Sequence, residues 1–216
     1  MPSRAMIVVG GGSSTRFGTD KLMVEVGGRP LIAHTVDAVR EYVDVFVVVC
    51  RAEVVTTVEG LATGAIVTPG GVTRTLSEMA GLAALGAGFD LIGIHDAARP
   101  SPEGATIERL FTIADETGGA VPVIAPERLV LDKETLRPVP GLARAQTPQV
   151  FRGDDLTSAY VRAARSGFEG HDTHEVMERF GDVTVVAVPG DETNVKVTYP
   201  ADLETIRDRF RGPSRT

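Results

Sequence analysis

The sequence predicts an α/β fold in which a mostly parallel sheet carries helices on both faces and one extended arm leaves it. Three observations predict this. Short β-branched runs alternate with helical periodicity, a glycine-rich loop follows the first run directly, and the alternation breaks between residues 125 and 147. Strand–helix alternation implies parallel pairing, because each helix returns the chain to the edge it left.

Residues 5–9 (AMIVV), 45–49 (VFVVV), 65–68 (AIVT), 91–94 (LIGI) and 120–124 (AVPVI) read as buried strands. Between them, Leu31, Thr35, Ala38 and Tyr42 fall at helical spacing behind Pro30, a good first-turn residue. Leu76, Met79, Ala80 and Ala83 form a second stripe, and Ile107, Leu110, Phe111 and Ala114 a third. Residues 125–147 then combine Pro126, Pro138, Pro140 and Gly141 with alternating apolar positions, an extended arm that covers a ligand or meets a partner chain. A helix near 153–166, strands at 183–188 (VTVVAV) and 194–198 (NVKVT), and a helix with Leu203, Ile206 and Phe210 on one face complete the chain.

With 216 residues, one core suffices, and residues 1–216 are expected to form one domain with the arm inside it. No apolar run reaches about eighteen residues, so no membrane span is expected. The stretch MPSRAMIVVGGG is too short in apolar residues for a signal peptide, which makes cytoplasmic the expected location. Cys50 is the single cysteine and follows an apolar run, a setting for a structural thiol rather than a nucleophile. A net charge of −7 and the absence of Trp weigh against a nucleic-acid surface, which needs clustered cations and stacking platforms.

The chemistry concentrates in GGGSSTRFGTDK, residues 10–21. Gly10, Gly11 and Gly12 let the backbone come close to a ligand, and successive N–H groups there can cradle phosphate oxygens. Arg16 and Lys21 add two cations beside them. The dinucleotide fingerprint does not fit, because its third glycine is missing, and neither does a Walker loop, which needs Gly-Lys-Ser/Thr. A solvated β-turn is the bland alternative. Arg and Lys beside glycines at a strand's carboxyl end favour a ligand loop.

That loop, written G-G-x-x-x-x-R-x-G-x-D-K, resembles the signature of nucleotide-sugar pyrophosphorylase-like transferases. Residues 69–82 (PGGVTRTLSEMAGL), 95–100 (HDAARP), 145–151 (AQTPQVF) and 193–203 (TNVKVTYPADL) resemble, in order, motifs of the methylerythritol phosphate cytidylyltransferases. Related ribitol 5-phosphate cytidylyltransferases share most of them. The resemblance implies a Rossmann-like, three-layer α/β/α fold of the nucleotide-diphospho-sugar transferase type, carrying a β-arm. It implies CTP and a small polyol phosphate as ligands, Mg²⁺ as cofactor, and a homodimer joined through the 125–147 arm.

It also implies site residues. Arg16, Lys21 and Lys196 are the expected catalytic cations. Gly10, Gly11, Gly12, Ser13, Gly71, Arg74 and Ser77 are expected to bind the nucleotide, with Arg74 and Ser77 on the helix face opposite its core stripe. Asp96, Arg99, Thr147 and Asp172 are expected to bind the acceptor, and Asp96 to hold the metal as well. His95 should point away from Asp96 and be structural. Lys196, inside an apolar segment, should meet an anion.

The chain departs from the family pattern in four places. Its loop ends Phe17-Gly18-Thr19-Asp20-Lys21, a short form that resembles molybdopterin nucleotidyltransferases. The arm reads Pro126-Glu127-Arg128-Leu129-Val130 where the family has an acceptor-contacting threonine. Pro138-Val139-Pro140 stands where the family has an arginine, with Arg137 and Arg144 as nearby substitutes. HDTHEVME, residues 171–178, keeps Asp172 but adds His171 and His174, which lack a third metal ligand. The losses fall on the acceptor half. Transfer of CMP from CTP to 2-C-methyl-D-erythritol 4-phosphate is the expected reaction, with a ribitol 5-phosphate or other polyol phosphate enzyme and a CTP-binding, non-catalytic paralogue as alternatives.

Overall fold

Residues of the first strand, β1 (Arg4–Val9), go alternately to two cores: Met6 and Val8 to one, Ala5 and Ile7 to the other. A strand buried on both faces needs this unbroken apolar run. The computed structural model describes residues 1–12, 17–18, 20–126, 130, 132–135, 137 and 139–210. After β1 come β2 (Glu25–Val26), β3 (Arg29–Pro30), α1 (Leu31–Arg40), β4 (Val45–Cys50), α2 (Val55–Leu61), β5 (Ile66–Pro69) and α3 (Arg74–Leu85). The second half contains β6 (Leu91–Asp96), α4 (Gly104–Thr117), β7 (Gly118–Ile124), β8 (Arg144–Ala145), β9 (Gln149–Arg152), α5 (Gly153–Ser166), α6 (Thr173–Phe180), β10 (Thr184–Pro189) and α7 (Asp202–Arg207).

The main sheet runs β10-β7-β9-β6-β1-β4-β5, with β8 added to β7. The pairs β1–β4, β1–β6, β4–β5 and β7–β10 are parallel, whereas β9 lies antiparallel between β6 and β7. Helices α1, α2 and α4 cover one face around Val36, Val58 and Phe111. Helices α3, α5 and α6 cover the other around Leu82, Tyr160 and Met177. The predicted three-layer α/β architecture is present. Among the described residues no helix is long and apolar enough to cross a membrane.

The register places the site. Val9 pairs with Asp96, so the ends of β1 and β6 stand level and the chain leaves them as Gly10 and Ala97. Gly10 N–H donates to Val49 O and Gly70 N–H to Cys50 O, which aligns both glycine turns on one carboxyl edge. The strand order changes direction between β1 and β6, and a crevice opens at such a point.

Three elements differ from expectation. On α3 the buried positions are Thr75, Ser77, Glu78, Gly81, Leu82 and Leu85, while Leu76 is exposed. The face that meets the sheet is the one carrying Gly81, where a Cβ would come within 2.4 Å of Ile7 Cγ2; a small residue there lets the helix approach, whatever the apolar count elsewhere. Ser77 is therefore part of the buried face, not opposite it. On α1 the buried stripe includes Ile32, Val36 and Val39 beside Leu31 and Thr35, and the helix ends before Tyr42. Residues 194–198 form no strand. Past β6 the chain turns, with Arg99 N–H donating to Asp96 O, and leaves Val197 one backbone bond, to Ala98 O.

In the arm, Asp132 N–H donates to Arg137 O and Val139 N–H to Val130 O, and Val130, Val139 and Leu142 are exposed. The departures expected at Glu127, Arg128, Leu129 and Pro138 lie outside the described residues.

Candidate active site

A cavity of about 350 Å³ lies over the carboxyl edge, lined by Gly10, Gly11, Gly12, Lys21, Gly71, Arg74, Ser77, Asp96, His171 and Lys196, among others. Thus the glycine loop, the second glycine turn, the end of β6 and the C-terminal segment meet as expected. Arg16 and Ser13, expected at the same place, lie outside the described residues. Gly11 and Gly70 are pressed against one atom: a Cβ on either would come within 2.8 Å of Ser77 Oγ. Ser77 donates to Thr73 O at 2.9 Å and to Gly71 O at 3.2 Å, which fixes the turn to the first turn of α3. Around Gly12 the space is open.

Asp96 is the electrostatic centre. Its Oδ1 accepts from Arg74 Nη1 at 2.6 Å, and its Oδ2 lies 2.8 Å from Lys196 Nζ and 3.4 Å from Arg99 Nε. Burial alone would raise this carboxyl, but Arg74, Lys196 and Arg99 outweigh it and hold it well below the usual carboxylate range. Lys196 thus meets its anion. Val195 and Val197 pack towards a small cluster with Leu31 and Leu203, so alternation turns Lys196 to the cavity. Lys21 donates to Val197 O at 3.1 Å and so joins the loop to the same segment.

This donor set does not suit a divalent cation on Asp96. Both carboxylate oxygens already face cations, and the described residues contain no cluster of three or more His, Cys, Asp or Glu able to hold a metal. A hard cation seeks anionic oxygens away from competing positive charge.

Thr147 and Arg99 occupy a layer beneath the cavity rather than its surface. Thr147 Oγ1 accepts from Asp96 N–H at 2.9 Å and lies 3.1 Å from His95 Nδ1, and it is 1% exposed. His95 Nε2 faces the carbonyl of Arg99 at 2.9 Å. A carbonyl only accepts, so Nε2 carries the proton, Nδ1 accepts, and the Thr147 hydroxyl donates to it. Burial drives His95 down to about 4, against the opposing pull of the Arg99 carbonyl. It is neutral and structural, as its position in the strand implied. Arg99 Nη1 donates to Asn194 O at 2.6 Å, while Asn194 Nδ2 donates to Thr147 O. Here the Thr147 hydroxyl and Arg99 Nη1 both engage neighbouring protein groups and brace the end of β6.

Asp172 caps α6, accepting from Thr173 N–H at 2.6 Å, and lies 3.5 Å from His174 Nδ1. Burial opposes its ionisation, but His174 and Arg74 keep its carboxyl below the usual range. Cys50 is buried, and burial with Asp20 pushes its thiol up to about 11, as befits an inert residue. Glu78, Gln146 and Asn194 lie inside the motifs quoted above, but the sequence assigned none of them a role. Gln146 donates to Asp191 O, accepts from Asp191 N–H, and so anchors the loop that delivers Asn194. A polar residue just before Thr-Pro-Gln was the available signal.

A family model described as IspD, 2-C-methyl-D-erythritol 4-phosphate cytidylyltransferase, matches residues 5–208. The bifunctional enzyme IspD/IspF of Rhizorhabdus wittichii is 36% identical over 226 residues, which cover 100% of this chain and 58% of that protein. The 2-C-methyl-D-erythritol 4-phosphate cytidylyltransferase of Solibacter usitatus is 35% identical over 214 residues, covering 91% of this chain and 87% of that one. The chain spans between 54% and 58% of the length of the first bifunctional relatives it matches. The crystal structure of 2-C-methyl-D-erythritol 4-phosphate cytidylyltransferase from Thermus thermophilus superposes with a TM-score of 0.81 at 29% identity, over 98% of this chain and 100% of that one.

Proposed function

The chain belongs to the 2-C-methyl-D-erythritol 4-phosphate cytidylyltransferase (IspD) family, and from that premise we propose that it transfers CMP from CTP to 2-C-methyl-D-erythritol 4-phosphate and releases pyrophosphate. One observation carries the reading: Lys21, Arg74 and Lys196 converge on a glycine-floored cavity at the carboxyl edge of the sheet. Cations around a backbone cradle suit a triphosphate, whose charge must be neutralised as an anionic nucleophile approaches.

An oxygen of the acceptor phosphate attacks the α-phosphorus in line. The new P–O bond forms as the bond to the bridging oxygen breaks, and the electron pair leaves with pyrophosphate. The nucleophile is already an anion, so no covalent enzyme intermediate is required and catalysis reduces to positioning and charge neutralisation. Lys21 and Arg16 stabilise the five-coordinate α-phosphate, with Lys196 beside them. Arg74 and the turn at Gly71 and Ser77 hold the nucleotide, and Asp96 keeps Arg74 and Lys196 aimed at it. A divalent cation such as Mg²⁺ would supply further charge neutralisation to the triphosphate, and Asp96, already paired with Arg74 and Lys196, would not be needed to hold it. The exposed apolar arm residues support a homodimer, and the location is proposed to be cytoplasmic.

Incubating the protein with CTP, Mg²⁺ and a panel of polyol phosphates, then identifying cytidine diphosphate adducts by mass spectrometry, tests the reading. The methylerythritol adduct is expected to form fastest. Faster formation of the ribitol adduct would reassign the acceptor.

A further inference from the structure

Glu78 and Asp96 are the two carboxylates buried among the described residues, and one arginine joins them. Arg74 Nη1 donates to Asp96 at 2.6 Å, while its Nε lies 2.9 Å from Glu78 Oε1. Glu78 sits one turn further along α3, 1% exposed, and unlike Arg74 it is not among the residues that line the cavity. Two hydroxyls complete its surroundings. Thr173, the first residue of α6, donates to Oε1 at 2.8 Å, and Tyr160 of α5 donates to Oε2. Burying a carboxylate costs several kcal/mol in order of magnitude, and apolar packing would have sufficed between α3 and α5. Nothing in the phosphoryl-transfer chemistry uses this group directly.

Resting on the proposed cytidylyltransferase reading, we propose that Glu78 is a positioning residue that fixes the Arg74 guanidinium against the nucleotide cavity, with Tyr160 and Thr173 as the braces that orient its carboxylate.

The guanidinium is planar: Nη1 donates to Asp96, and the Glu78 carboxylate, 2.9 Å from Nε, attracts it by charge from a second side without accepting a directed hydrogen bond from Nε. Asp96 alone would draw the guanidinium towards one side of its pocket; Glu78 balances that pull from the other. Burial raises the Glu78 carboxyl, while Arg74 and the two hydroxyls oppose that rise. Burial and Glu78 together raise Tyr160 well above its usual value, which keeps its hydroxyl protonated as a donor. Three helices therefore set the aim of one cavity residue. A looser guanidinium weakens the bound nucleotide before it slows transfer, so the effect should appear in KM for CTP more than in kcat.

The test is a double-mutant cycle between E78Q and R74A, read as pyrophosphate release and as CTP binding by calorimetry. E78Q should raise KM for CTP about tenfold, with kcat within about threefold. Within the R74A background, E78Q should change KM by less than about twofold, because its effect passes through Arg74. Losses that multiply, or an E78Q enzyme with wild-type KM, would overturn the proposal. Should E78Q not fold, Y160F decides: a KM raised about threefold at unchanged melting temperature supports the brace, and an unchanged KM overturns it. A wild type that binds CTP without turning it over would sink the transfer reading while the CTP Kd of E78Q still decides the role of Glu78. A wild type that does not bind CTP overturns both.

Discussion

Lys196 Nζ lies 2.8 Å from Asp96 Oδ2, an ion pair that joins the C-terminal segment to the end of the central strand β6. Arg74 takes the other oxygen, so a single buried carboxylate holds two cations that line the cavity. Asp96 is therefore the anion that lets positive charge stay packed together at the cavity.

Replacing Asp96 with Asn should expose that role. The shape is kept, but Arg74, Arg99 and Lys196 lose their shared anion. The variant should be destabilised by about 3–5 kcal/mol, the cost typical of stranding buried charge, measured as a fall in the urea midpoint. A midpoint equal to that of the wild type would show that the cations do not depend on it.

Lys21 reaches the cavity from the short 3₁₀ turn over Lys21–Met23, whose cap Asp20 is itself tied to Arg51 at 2.6 Å. Lys21→Ala should reduce kcat by about a hundredfold or more, as loss of one transition-state donor does. Steady-state turnover near the wild-type value would remove Lys21 from the mechanism.

His95 gives the protein an acid limit. Its pKa falls from 6.5 unfolded to about 4 folded, so between those values the unfolded chain binds more protons. Its contribution is complete above pH 6.5 and fades as pH falls towards 4, an effect of about 3 kcal/mol. Melting temperatures of the wild type and of His95→Gln, compared across that window, should converge on acidification. Parallel curves would contradict the assignment.

Thr147 separates bracing from substrate contact. Thr147→Val leaves the Asp96 N–H and His95 Nδ1 unsatisfied, which should cost about 1–3 kcal/mol and impair turnover with either substrate varied. Thr147→Ser keeps the hydroxyl and should behave as the wild type. A Thr147→Val variant that changes only KM for the acceptor would restore the direct-contact role.

The strands and the edge that bears the site were legible because β-branched runs and glycine turns act locally. AMIVV and LIGI need no partner information to be recognised as buried, and HDAARP after LIGI puts Asp96 at the carboxyl end by counting alone. The buried face of α3 was not legible in the same way. It is set by the close approach of Gly81 to Ile7 and by Glu78 reaching Tyr160 and Thr173, contacts between residues far apart in sequence. The segment 194–198 alternates like a strand, yet whether it pairs depends on where β6 turns away. Thr147 and Arg99 were expected near the site from their motifs; the bonds that brace them to His95, Asp96 and Asn194 were not legible, because a motif records proximity and not which groups a side chain will bond. The sugar-phosphate end stayed the least legible, since several residues of the arm are altered.

Phosphorus NMR of the protein with CTP, Mg²⁺ and 2-C-methyl-D-erythritol 4-phosphate follows both products at once. The account predicts that pyrophosphate and a new diphosphodiester appear in equal amounts, only when the acceptor is present, and that Lys21→Ala slows both alike. An unchanged spectrum, or pyrophosphate accumulating with free CMP, would contradict it.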